Sequence, residues 1–203
     1  PELEDLKRQI NAHNFDIRDE QYIYGFYEYC LACLLKGAEK DALYYSAYNK
    51  MLPYIKSDPR ARLVVKIICL RYIWIDRLDE LCKGSKPNEF SLVCNFFLGA
   101  PLSGQVNDGA HSDNMFEVFV EDDEYDNSQA IVCFMNGDLN AVKRYLGKAS
   151  RMIEEGEIGE NLRDKIYLLQ ARFSEHTGDI GKAKYYYNRI LCPSIKKSRG
   201  VLL

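Results

Sequence analysis

The chain has 203 residues, 47% of them hydrophobic and 28% charged, which suffices for a buried core and excludes bulk disorder. Its net charge is −3 and its isoelectric point about 5.7, so it lacks the basic surplus that phosphate-backbone binding draws on. Six prolines and 13 glycines leave room for long helices, since both residues break them.

Leu3, Leu6 and Ile10 are spaced by three and four, which predicts a short amphipathic helix at the start. Residues 20–36 carry Tyr22, Phe26, Tyr29, Cys30, Cys33 and Leu34, and Gly37 closes this helix. Ala38, Ala42, Tyr45 and Leu52 share one face of the next helix, which Pro53 ends. Ser57-Asp58-Pro59 is a start signal, with Asp58 as the cap and Pro59 in the first helical position. One helix is expected over 59–83. It is apolar around most of its circumference between Leu63 and Ile75, so it reads as a central element covered on more than one side.

Residues 88–98 predict a short helix on Phe90, Val93, Cys94 and Phe97. The segment 99–126 reads as irregular, with Pro101, Gly104 and Gly109 followed by the acidic run Glu121–Asp126. Four helices are then expected at 127–136, 138–154, 161–177 and 179–192. Lys196, Lys197 and Arg199 make 194–203 a solvated basic tail. The expected class is all-α: a helical array over 1–98, the acidic loop over 99–126, helical hairpins over 127–193, then the tail.

Two junctions share one pattern, Asn136-Gly137-Asp138-Leu139 and Thr177-Gly178-Asp179-Ile180. In each, glycine ends one helix with positive φ and aspartate caps the next. The two glycines stand 41 positions apart, inside the window for stacked repeats. The second unit resembles a tetratricopeptide (TPR) repeat through Tyr167, Ala171, Gly178, Asp179, Ala183, Tyr187 and Leu191. It departs from that pattern at Gln170 and Ser174, which stand where larger apolar residues are usual. The first unit matches at Ala130, Gly137, Asp138 and Ala149, with Val142 in place of alanine and Asp126 in place of an aromatic. The spacing also exceeds the roughly 34 residues usual in the family. A third copy, with fewer matches, surrounds Gly37 through Phe26, Cys30 and Ala42. The resemblance implies antiparallel helical hairpins stacked as a TPR-like α-solenoid, and a protein-binding scaffold or complex subunit.

Motifs for chemistry are sparse. Cys30-Leu31-Ala32-Cys33 is a CxxC pair without a second pair to complete a zinc site, and it falls inside a predicted helix. The seven cysteines sit mostly in apolar runs, as Cys69, Cys94 and Cys133 do, and read as small core hydrophobes. His13, His111 and His176 show no metal spacing, and no phosphate-binding or nucleophile motif appears. No catalytic residue, metal or cofactor is therefore expected. No leader peptide and no run of about 18 apolar residues is recognised, so the expected setting is intracellular, cytoplasmic or nuclear, without a membrane. The start at Pro1 is expected of a fragment or of a chain with a cloning scar.

Fifteen tyrosines, several consecutive, cannot all face one core. Tyrosine suits interfaces because it joins a large contact area to a polar tip. The candidate partner-binding residues are accordingly Tyr22, Tyr27, Tyr44, Tyr48, Arg71, Tyr185 and Tyr186. The expected partner is another protein or a peptide. Two alternatives stay open: an enzyme site near 99–126 using His111 and Asp113, and a nucleic-acid-binding repeat using Arg60, Arg62, Lys66 and Arg71.

Overall fold

The structure, a computed structural model, describes residues 17–35, 37–83, 89–100, 122–156 and 158–197, with Asp5 and Arg8. These contain ten α-helices, one 3-10 turn and no strand. The all-α class therefore holds among the described residues. Their helices form two units, divided between Arg71 and Tyr72. The helix expected on Leu3, Leu6 and Ile10 lies outside the described residues.

The first unit is built on a hairpin of α1 (Ile17–Leu34) and α2 (Ala38–Met51). Gly25 is what lets them cross closely: a Cβ there would lie 3.0 Å from Met51 Cγ and 3.1 Å from Lys50 Cβ. Ala32, Ala47 and Met51 are fully buried in the same unit. Ala42, one of the matches of the third repeat copy, is exposed. A 3-10 turn (Leu52–Tyr54) carries Pro53. The helix α3 (Pro59–Tyr72) starts as the sequence indicates, with Asp58 Oδ1 accepting from the amides of Arg60 (2.7 Å) and Ala61 (3.4 Å).

The single helix expected over 59–83 is broken. Ile73 has φ 51°, and α4 (Ile75–Cys82) begins after Trp74. Left-handed backbone is unfavourable for a β-branched residue. Two contacts accompany it here: the Ile73 side chain is fully buried, and the Tyr72 and Trp74 rings stack at 5.5 Å. No glycine or proline marks the break, which is why periodicity ran straight through it.

The second unit continues with α5 (Glu89–Phe97), α6 (Asp122–Met135), α7 (Leu139–Glu155), α8 (Glu160–His176), α9 (Ile180–Arg189) and α10 (Pro193–Lys197). The acidic run is therefore not irregular throughout: Asp122–Asp126 is the start of α6. The expected tail likewise begins as α10, with Ile195 fully buried against α8's side of the core. Arg199 lies outside the described residues.

The two glycine junctions have the same backbone chemistry. Gly137 (φ 79°) and Gly178 (φ 82°) are left-handed. The Asp138 amide donates to Cys133 O (2.9 Å) and the Gly137 amide to Phe134 O (3.0 Å). Forty-one residues on, the Asp179 amide donates to Ser174 O (2.8 Å) and the Gly178 amide to Glu175 O (3.0 Å). That pair of bonds is the Schellman closure of a helix. Each aspartate then caps the following helix, Asp138 Oδ1 accepting from Ala141 and Asp179 Oδ1 from Lys182, both at 3.0 Å.

Within this unit α8 is the central helix. Leu162, Asp164 through Ala171 and Ser174 are buried, which covers every side of it. It packs on α6, α7, α9 and α10. Arg172 extends from it to the end of α5, donating to Phe96 O with its guanidinium 4.4 Å above the Phe96 ring.

Candidate interaction surface

The expected tyrosine surface separates into interior and exterior residues. Tyr27, Tyr44 and Tyr48 are buried in the first unit, so they are packing residues of the α1–α2 hairpin and not a surface. Consecutive tyrosines diverge because neighbours on a helix point about 100° apart: Tyr44 goes inward while Tyr45 is exposed. Arg71 lies 4.9 Å over the Tyr44 ring. Tyr22 is half-buried, edge-on to Tyr54 at 5.4 Å. Burial and the Asp58 carboxylate that accepts from its hydroxyl push the Tyr22 phenol above its ordinary value.

In the second unit Tyr185 is 52% exposed and Tyr186 half-buried. Their rings meet edge-on at 5.2 Å, and Tyr186 stacks on Tyr167 of α8 at 6.2 Å. Arg189 completes the cluster, with its guanidinium 4.4 Å above Tyr185 and a 3.5 Å hydrogen bond donated to the Tyr167 hydroxyl. Ala183 and Tyr187 are buried on the opposite side of α9, so its i, i+4 spacing leaves Lys182, Tyr185, Tyr186 and Arg189 outward or at the edge.

Tyr186 also borders a groove of about 260 Å3. Its walls are Leu146, Gly147 and Ser150 of α7 and Lys182 and Tyr186 of α9, and its floor is Gln170, Phe173 and Ser174 of α8. Gln170 is 4% exposed. Its Nε2 donates to Ser150 Oγ at 3.0 Å, while its Oε1 has no hydrogen-bond partner. Ser174 Oγ donates to Gln170 O at 2.7 Å. At the rim the Lys182 ammonium lies 3.0 Å from Asp179 Oδ2. The Lys182 amide and ammonium hold the Asp179 carboxyl below its ordinary range, and Asp179 in turn holds Lys182 above its own.

Gln170, Ser150, Ser174, Lys182 and Arg189 were not among the candidates read from the sequence. The signal that would have found two of them was present: Gln170 and Ser174 are the two departures from the apolar repeat pattern.

Asp164 was also missed. It is 2% exposed on α8, and its Oδ2 accepts from the amides of Leu191 (2.8 Å) and Cys192 (2.7 Å). Those bonds draw the chain out of the helix, so α9 stops at Arg189 where the apolar spacing had carried it to 192.

The CxxC pair is half-buried. The Tyr44 hydroxyl donates to Cys33 Sγ at 3.4 Å, and burial together with neighbouring Cys33 pushes the Cys30 thiol up. A raised thiol disfavours the thiolate that redox exchange requires. Among the described residues no group of His, Cys, Asp and Glu side chains could hold a metal ion, and no helix is long and apolar enough to cross a membrane. His111 and Asp113 lie outside the described residues. The four cations of the nucleic-acid alternative lie on α3, where Arg60 is exposed and Arg62, Lys66 and Arg71 are half-buried.

No protein-family model, no curated protein and no solved structure matches the chain.

Proposed function

We propose that the chain is a non-catalytic interaction scaffold or assembly subunit, and that its second unit is a short TPR-like repeat that binds a partner protein or peptide through its α7–α9 side. The paired junctions at Gly137 and Gly178, with the same closing bonds and the same aspartate caps, support the repeat reading. The observation that carries the binding reading is the exposed Tyr185–Tyr186–Arg189 cluster beside the α7–α9 groove. Tyrosine and arginine concentrate binding energy because each combines broad contact with a directed polar group. The α8 helix is buried over most of its length and reaches the surface here only as the groove floor, so a partner meets the unit mainly on α7 and α9.

Affinity purification of the tagged chain followed by mass spectrometry should recover a stoichiometric partner. Tyr185→Ala combined with Tyr186→Ala should reduce its recovery while helical circular dichroism is kept. Full recovery with that double variant would move the binding surface elsewhere.

A further inference from the structure

We infer that the α7–α9 groove takes an acidic peptide segment of the partner, held by carboxylates on its cationic rim and by a backbone amide on Gln170. This rests on the reading of α7 and α9 as the partner-binding side.

Although the chain is net acidic, α7 and α9 are locally basic. Lys143, Arg144, Lys148 and Arg151 are exposed on α7, and Lys182, Lys184 and Arg189 on α9. On α7, Lys143 stands one turn before Gly147, on the stripe that borders the groove. On α9, Lys182, Tyr186 and Arg189 follow one another at i, i+4 and i+7, which places a cation at each end of the tyrosine. The groove thus has a cation along each edge, Lys143 beyond Gly147 on one side and Lys182 on the other, with Asp179 also in its lining beside Lys182. Lys148 is paired with Asp126 and Lys182 with Asp179, and Glu154 and Glu155 lie at the far end of α7. Of the exposed cations, Lys143 stands on the groove's own stripe and has no ion pair among the described residues, so its charge is available to a ligand.

The floor adds an independent requirement. Gln170 Oε1 is a buried acceptor without a donor, and such an oxygen is costly to leave unpaired. A peptide offers an N–H at every residue but proline. A nucleic-acid backbone presents mainly acceptors at its phosphates, which suits the lysines but not this oxygen. Tyr186 and Phe173 give an apolar strip for an aliphatic side chain between the charges.

The test uses the full chain and a short fluorescein-labelled peptide of alternating Glu and Leu, read by fluorescence anisotropy at low and physiological salt. Matched peptides with Gln or Lys in place of Glu, and labelled oligouridine, are the comparisons. The Glu peptide should bind about tenfold or more tighter than the Gln peptide, and salt should weaken it. Lys143→Glu, an exposed change remote from the core, should weaken it further, as should Arg189→Gln. Nitrogen-15 NMR should show perturbed signals at Gly147, Ser150, the Gln170 side-chain amide and Lys182. Equal or tighter binding of the Gln or Lys peptide would overturn the acidic assignment and leave the peptide-binding reading standing. Tighter binding of oligouridine would overturn it in favour of nucleic acid. Absence of binding by any peptide, at concentrations NMR can follow, would overturn the assignment. Failure to recover a partner as well would remove the scaffold reading with it.

Discussion

Glycine does two different jobs in this chain, and substitution separates them. Gly178 has φ 82° with open space around its Cβ position, so Gly178→Ala meets no clash but forces a Cβ residue into left-handed backbone. A loss of about 1–2 kcal/mol is expected. Gly25 is helical, and alanine there would gain about 1 kcal/mol of helix propensity. It would also press on fully buried Met51 and on Lys50 Cβ, and overpacking of this kind costs about 1–3 kcal/mol. Gly25→Ala should therefore destabilise, whereas the same change at exposed Gly147, a helical position with nothing near its Cβ, should stabilise. Urea denaturation of the three variants distinguishes these effects. The Gly178 signal was legible in the sequence, because a glycine before a capping aspartate is local chemistry. Gly25 was not, because only its packing against α2 distinguishes it from any glycine in a helix.

The elements are held in place by carboxylates acting on backbone amides. Asp138→Ala removes the bond to the Ala141 amide and should cost about 1 kcal/mol, the usual value of a lost N-cap. Asp164 acts over a longer sequence distance, on the amides of Leu191 and Cys192. Asp164→Ala leaves both without their acceptor, and a loss of about 1 kcal/mol per lost hydrogen bond is expected, since Leu191 is exposed and Cys192 half-buried. Hydrogen exchange should accelerate at Leu191 and Cys192 while the Asp138 junction stays protected. Equal acceleration at both places would show global rather than local loss. A capping aspartate declares itself by standing just before an apolar run. Asp164 sits inside a helix, 27 residues from its nearer partner, and no local pattern exposes it.

For the whole molecule, acid sensitivity includes a contribution from one depressed aspartate in each unit, Asp58 and Asp179, among the described residues. Burial pushes the Asp58 carboxyl up, but the Arg60 and Ala61 amides, the Tyr22 hydroxyl and the Arg60 charge together push it further down. Asp179 is lowered by the Lys182 amide and ammonium. A carboxyl whose folded-state value lies below its unfolded one contributes fully above about pH 4, the ordinary aspartate range. That contribution is lost as pH falls through the folded value. Melting temperature should thus fall on acidification below about pH 4. Asp58→Asn and Asp179→Asn keep a capping oxygen but remove the titration, and each should flatten that acid limb. At the alkaline end the raised Lys182 contributes fully below about pH 10, its ordinary range, and the contribution is lost as pH climbs through the folded value. An acid limb unchanged in both variants would assign the loss to other carboxylates.

The sequence alone determined that this protein is helical and where most helices lie, including the two junctions at Gly137 and Gly178. Those features follow from apolar spacing, glycine with positive φ and capping aspartate, each decided within a few residues of the chain. Tertiary structure decided the rest. It placed Tyr27, Tyr44 and Tyr48 inside and Tyr185 outside, broke the long helix at Ile73, ended α9 at Arg189 and set Gln170 on the floor of a groove. Each of these depends on which surface arrives from elsewhere in the chain: Asp164 to capture two amides, α2 to cover Gly25, α7 to face Gln170. Periodicity records that a residue has an apolar side to bury, and burial itself is settled only when a partner far along the sequence packs against it.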